Sequence, residues 1–177
     1  MKKLYIALGL MFAASPALAQ FNGHQNAPNN TTVRWLDIVG VITAQGVNNP
    51  VSANIDSGTF AWSTSSGRAR IDLATGATSF DVEGLVINGT QFSGTPGPIT
   101  AVTGTLVCNP GDQTQEMALD TAPVPLSTRG DARFSGAIPS IPAVCANPLF
   151  LVRIAVPAVA AGRWIATGTV RIGAGTQ

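Results

Sequence analysis

The sequence predicts an all-β fold, an antiparallel β-sandwich of about seven to nine strands with one disulfide, and a small closed β-barrel as the alternative. Three observations lead there. From Val33 onward, short segments alternate apolar and polar residues and are rich in Thr, Val, Ile and Gly. Turn residues recur about every 8–12 positions, the spacing of a sandwich or barrel. No stretch carries the three-to-four-residue apolar period of an amphipathic helix.

The elements follow in chain order. Val33 to Thr43 reads as a first strand. Thr59 to Ser63 places Phe60 and Trp62 on one face. The clearest element is a hairpin: Arg68–Leu73 and Thr78–Glu83 both alternate, with Ala74-Thr75-Gly76-Ala77 as the turn. Folding about Thr75-Gly76 sets Ile71 against Phe80 and Ala69 against Val82. The same register sets two cross-strand ion pairs, Arg70 with Asp81 and Arg68 with Glu83. Leu85-Val86-Ile87 precedes an Asn88-Gly89 turn. Val102, Gly104, Leu106 and Cys108 share a face, which sends a disulfide inward. Glu116 to Leu119 is a short strand, and Pro123 and Pro125 mark the next piece as an edge or irregular. Ala132, Phe134, Gly136 and Ile138 share a face. Leu149 to Val156 is nearly all apolar, as in a central strand buried on both sides. Trp164, Ala166, Gly168, Val170 and Ile172 line the inner face of the last strand. Trp35, Trp62 and Trp164 each have apolar same-face neighbours and read as core, although exposed tryptophans in a groove would suit sugar rings.

The N-terminus reads as a secretory signal over residues 1–19. Lys2 and Lys3 precede an uncharged run, Leu4 to Ala14, and Ala17-x-Ala19 supplies the cleavage pattern. That run is too short for a membrane-spanning helix, which needs about 20 apolar residues. No later segment spans as a helix, since Arg153 and Pro157 break the longest apolar run. Residues 20–32 form an Asn-rich arm, and residues 33–177 a single β domain. The expected location is the periplasm or the exterior.

Lys2 and Lys3 are the only lysines, so residues 20–177 hold eight Arg against nine Asp plus Glu, a net charge of 8 − 9 = −1. Such a chain has no electrostatic footprint for nucleic acid or an anionic membrane, and weak self-repulsion leaves self-association or a protein partner open. Cys108 and Cys145, exported to an oxidising compartment, are expected to pair. A thiol nucleophile or metal ligand is the rival, but no CxxC spacing exists and the only His is remote.

The residue inventory restricts chemistry. His24 is the only His and sits in the arm, which argues against a Ser-His-Asp site. No Lys or Tyr follows residue 19, so a Ser-Lys dyad, a Schiff base and a tyrosine acid are excluded from that part. Carboxylate chemistry of a glycan hydrolase needs only two well-placed acids and stays open. Asp112, Glu116 and Asp120 lie near one loop and could offer oxygen ligands to Ca²⁺, though the spacing fits no known loop and a solvated turn explains them better. No cofactor is expected.

The run from Gly67 to Val86, with Ala101–Cys108, Arg129–Ile138, Cys145–Pro148 and Arg163–Gly168, resembles a group of small exported bacterial all-β proteins with one cysteine pair. The likeness spans about residues 57–170. It implies a secreted β domain and brings no catalytic residue to transfer. The expected role is a non-enzymatic protein of the cell envelope or exterior that binds a partner or assembles with itself. A glycan hydrolase and a small-molecule carrier are the alternatives.

Overall fold

The computed structural model describes residues 31–155 and 161–173. Residues 1–30, which hold the expected signal and most of the arm, lie outside the described residues. Eleven strands are present among these residues: β1 (Thr32–Gly40), β2 (Ala61–Ser63), β3 (Ser66–Asp72), β4 (Ala77–Glu83), β5 (Val86–Asn88), β6 (Ala101–Cys108), β7 (Met117–Asp120), β8 (Val124–Pro125), β9 (Ala132–Ala137), β10 (Leu149–Ile154) and β11 (Trp164–Gly173). No helix occurs among the described residues. The all-β expectation holds.

The count exceeds seven to nine for two reasons. A small separate sheet, β2–β5, adds two short strands, and one edge strand is split into β7 and β8. Every ladder is antiparallel. The main sheet runs β7-β6-β10-β11-β1-β3-β4-β9, and β8 pairs with the other end of β6. The two layers facing each other across the core are therefore the two arms of one curled sheet, not two separate sheets. Its path ends at β7 and β9.

Aromatic side chains fill the curl. Phe80 on β4 lies 5.9 Å from Phe134 on β9 and 5.5 Å from Phe150 on β10, centroid to centroid. Trp35 on β1 meets Phe150 at 5.6 Å. These rings need room on the strands opposite. A Cβ on Gly104 of β6 would sit 2.7 Å from Phe80, and one on Gly168 of β11 would sit 2.6 Å from Trp35. The glycines inside Thr-Gly-Thr runs are thus ring seats. Trp62 and Trp164 are also buried, so all three tryptophans are core. Phe150, Leu151 and Val152 are fully buried, and β10 lies between β6 and β11, which is the central strand its composition implies.

The edge strand bends where its prolines are. Thr121, between β7 and β8, keeps contact with β6 through its backbone N–H, which donates to the Gly104 carbonyl at 2.8 Å. Its hydroxyl accepts the Gly104 N–H at 3.0 Å. Pro123 and Pro125 then leave no donor for a further strand to use at those positions. Behind this edge Arg153, mostly buried, donates to the carbonyls of Ala161 and Gly162 and faces Asp120. Burial lowers its pKa from the ordinary value, and the Asp120 charge opposes that shift.

Cys108 and Cys145 are bonded. Cys108 closes β6 and is fully buried, while Cys145 lies in the connection from β9 to β10. The bridge therefore pins that connection to the end of β6. Asn109 supports it, since its side-chain Oδ1 accepts the Ala146 N–H at 3.0 Å and its backbone N–H donates to the Ala146 carbonyl.

The hairpin register differs from expectation by two residues. Arg68 stands opposite Asp81, Ala69 opposite Phe80, Arg70 opposite Ser79 and Ser66 opposite Glu83. The expected pairs Arg70–Asp81 and Arg68–Glu83 are not formed. The turn is the cause. Asp72 Oδ1 accepts the N–H groups of Ala74 and Thr75 at 3.0 and 3.1 Å, and the Gly76 N–H returns to the Asp72 carbonyl. Gly76 takes φ +75°, the left-handed conformation that Gly adopts without steric cost. This locks a four-residue connection, Leu73–Gly76, in place of a two-residue one. The Thr75 N–H, above all, holds the Asp72 carboxyl below the usual carboxylate range.

Candidate binding face

Side chains of the hairpin that point away from the core join those of β1, β9 and β11 on one outer sheet face. In one row across the strands stand Ile172, Arg34, Arg70, Ser79 and Ser135. In a parallel row stand Arg68, Asp81 and Arg133. Four of the eight arginines after residue 19 are therefore exposed on this face.

Only one of the four has a carboxylate partner among the described residues: Arg68 Nε donates to Asp81 Oδ1 at 2.8 Å. With Arg68 74% exposed, that pair contributes at most about 1 kcal/mol. Arg34 and Arg70 stand directly opposite each other on neighbouring strands. Like charges in that position repel, and a guanidinium stays charged at any ordinary pH. None of the nearby acids forms an ion pair with either among the described residues. Asp37 accepts its neighbour's N–H at 2.9 Å, Glu83 accepts the Ser66 hydroxyl at 3.0 Å, and Asp72 serves its turn.

The β1–β11 border of the face is apolar. Leu36 and Val170 fall opposite each other, between the Trp35–Arg171 and Asp37–Thr169 pairs, and are 53% and 65% exposed. Ile172 is exposed beside them. The expectation that Val170 and Ile172 line the core is thus corrected. The alternation of β11 breaks at Val170, whose φ is +47°. β1 changes phase at the same level: Val33 and Trp35 point inward, then Ile38 and Gly40. The strands kink outward together. A β-branched residue in the left-handed region is a genuine outlier, costing about 1–3 kcal/mol. Val170→Gly is accordingly expected to raise stability by about 1 kcal/mol, after the entropic cost of Gly is deducted. Thermal melts of the variant check this, and a loss of stability would show that no strain is stored there.

Of the residues singled out in the sequence, Arg68, Arg70, Asp81 and Glu83 all lie on this face. Cys108 and Cys145 lie away from it, as a staple. Asp112, Glu116 and Asp120 are not brought together as a ligand set. Asp112 Oδ1 accepts the Thr114 and Gln115 N–H groups, and the Thr114 N–H, above all, lowers its pKa. Glu116 accepts the Ser52 hydroxyl and the Gly111 N–H. Asp120 accepts the Thr105 hydroxyl at 2.6 Å. Arg34, Leu36 and Arg133 were not singled out, although the period-two pattern around Val33 and Trp35 already turns Arg34 and Leu36 outward.

Comparison of the chain with protein-family models, with curated proteins and with solved structures finds no match.

Proposed function

We infer that this is an exported, non-enzymatic protein of the cell envelope or exterior that binds a partner through the outer face of β11–β1–β3–β4–β9. The observation that carries this reading is the Arg34–Arg70 pair, without a carboxylate partner among the described residues, beside exposed Leu36 and Val170. A folded chain gains nothing by itself from opposing two guanidiniums or from exposing two kinked aliphatic side chains.

Several further features support binding over catalysis. Each of the nine carboxylates accepts a hydrogen bond from within the chain, those of Asp56 and Asp131 from Asn48 and Ser127. Asp72 and Asp112 are held below the carboxylate range, the wrong direction for a general acid. The interior, where a carrier would hold a small molecule, is filled by Trp35, Phe80, Phe134 and Phe150. Export is argued from the N-terminal pattern, and the Cys108–Cys145 bridge agrees with an oxidising compartment.

The experiment is cell fractionation of a bacterium expressing the full chain, wild type or Arg34→Gln/Arg70→Gln. The expected result is a processed chain outside the cytoplasm that sediments with the envelope, and a variant that is released. Retention in the cytoplasm would overturn export. Equal retention of both forms would overturn the face.

A further inference from the structure

The geometry points to an anionic lipid surface as the partner of this face: Arg34 and Arg70 on lipid phosphates, with Leu36, Val170 and Ile172 entering the boundary between headgroups and acyl chains. This rests on the preceding reading that the β11–β1–β3–β4–β9 face is the binding surface.

Three independent features meet there, and one ligand chemistry accounts for all of them. The first is charge. Two guanidiniums are held side by side with no carboxylate partner among the described residues, and Arg133 is uncommitted two strands away from Arg70. Each guanidinium is a planar fork that matches phosphate oxygens, and closely spaced phosphates would cancel the repulsion between them. The second is apolar exposure. Ile172 stands opposite Arg34, and Leu36 lies two residues along the same strand, so cation and aliphatic group alternate on the same patch. The third is the paired kink at Leu36 and Val170, which spends backbone strain on turning these side chains outward.

A soluble polyanion would satisfy the arginines and leave Leu36 and Val170 in water. A folded acidic partner would be expected to seize large anchors, but among the described residues no aromatic side chain is exposed on this face. The outer side of a curled sheet has no walls to enclose a single small ion. A leaflet surface, by contrast, offers many phosphates in a plane directly above an apolar layer, and surface-bound proteins use this pairing of basic and aliphatic side chains. Asp81 and Glu83 share the face and reduce its local field, so the attraction rests on direct contact of Arg34, Arg70 and Arg133 with phosphates and not on the net charge of the chain.

The test is co-sedimentation of the disulfide-intact exported protein with phosphatidylglycerol–phosphatidylcholine vesicles and with pure phosphatidylcholine vesicles. Binding is expected to the anionic vesicles only and to fall as salt is raised. Arg34→Gln/Arg70→Gln should weaken it on the order of tenfold or more. Leu36→Ser/Val170→Ser should weaken it by a similar factor while leaving the salt dependence intact. All four positions are exposed, and thermal melts verify that each variant folds. No binding to anionic vesicles, or binding that either pair of substitutions leaves unchanged, would overturn the lipid assignment. So would binding to dextran sulfate that is as tight as to vesicles and indifferent to Leu36→Ser/Val170→Ser. If envelope retention depends on Arg34 and Arg70 while vesicles fail, the lipid falls and the face stands. If neither depends on them, both fall.

Discussion

Phe80→Ala is expected to destabilise the protein by about 3–5 kcal/mol, among the largest losses any single truncation would cause here. Phe80 is 2% exposed, and its ring touches three strands besides its own. It stacks on Phe134 of β9 at an interplanar angle of 16°, leans on Phe150 of β10 at 51°, and covers Gly104 of β6. In the order of the main sheet β4 lies five places from β6. The contact therefore holds the curl itself and not merely one strand pair. A coupled substitution makes the argument sharper. Gly104→Ala should cost about 1–3 kcal/mol in the wild type, because the new methyl would meet the ring at 2.7 Å and neither strand can withdraw. In a Phe80→Leu background that cost should shrink, since the space is freed. Denaturant melts of the four proteins measure the coupling, and strictly additive losses would show that ring and glycine do not share the space.

Loss of the Cys108–Cys145 bridge is expected to cost about 4 kcal/mol, because it closes a long segment of the unfolded chain. The sequence separation is 37 residues, and the closed segment carries β7, β8 and β9, which lie at the two ends of the main sheet's path. The corresponding fall in melting temperature is roughly 10–15 °C for a domain of this size. The native sheet should survive at room temperature in the reduced protein. The Asn109–Ala146 hydrogen bonds and the Ile138 N–H to the Gly76 carbonyl, at 2.9 Å, still hold both ends of the connection between β9 and β10. Circular-dichroism melts with and without reductant, and of Cys108→Ser/Cys145→Ser, decide the matter. An unchanged melting temperature would remove the bridge from any account of stability.

What could be read from the chain alone divides along physical lines. Side-chain direction was legible wherever alternation was clean, as at Trp35, Ala69, Phe80 and Val82, because a strand has a period of two. Full burial of β10 was legible from its unbroken apolar run. Register was not. A hairpin slipped by two residues keeps every side chain on the same face, so alternation cannot separate Arg70–Asp81 from Arg68–Asp81. The information lay in the turn, in Asp72 capturing two N–H groups and in Gly76 being free to take a positive φ. The binding face was half legible. Arg34, Leu36, Arg68 and Arg70 can each be placed on an outer face, but nothing local says that β1 lies between β3 and β11. The kink at Val170 had no signal at all, since valine is among the residues least suited to the left-handed region.

The place of β1 in the sheet has a consequence for how the chain reaches its native state. Thr32–Gly40 pairs on one side with β3, some thirty residues on, and on the other with Trp164–Gly173, the last of the described strands. The seam between the two halves of the sheet therefore cannot be sewn until Trp164–Gly173 has been made. Such far-apart pairings make for slow folding, in the millisecond-to-second range typical of β domains. Until then β1 and β10 both present open backbone ladders in the middle of the molecule, where neither the Pro123–Pro125 edge nor the cysteine staple protects them. A chain ending before Trp164 would lack not a border strand but the central one, and would be left as two sticky half-sheets in place of a slightly smaller domain.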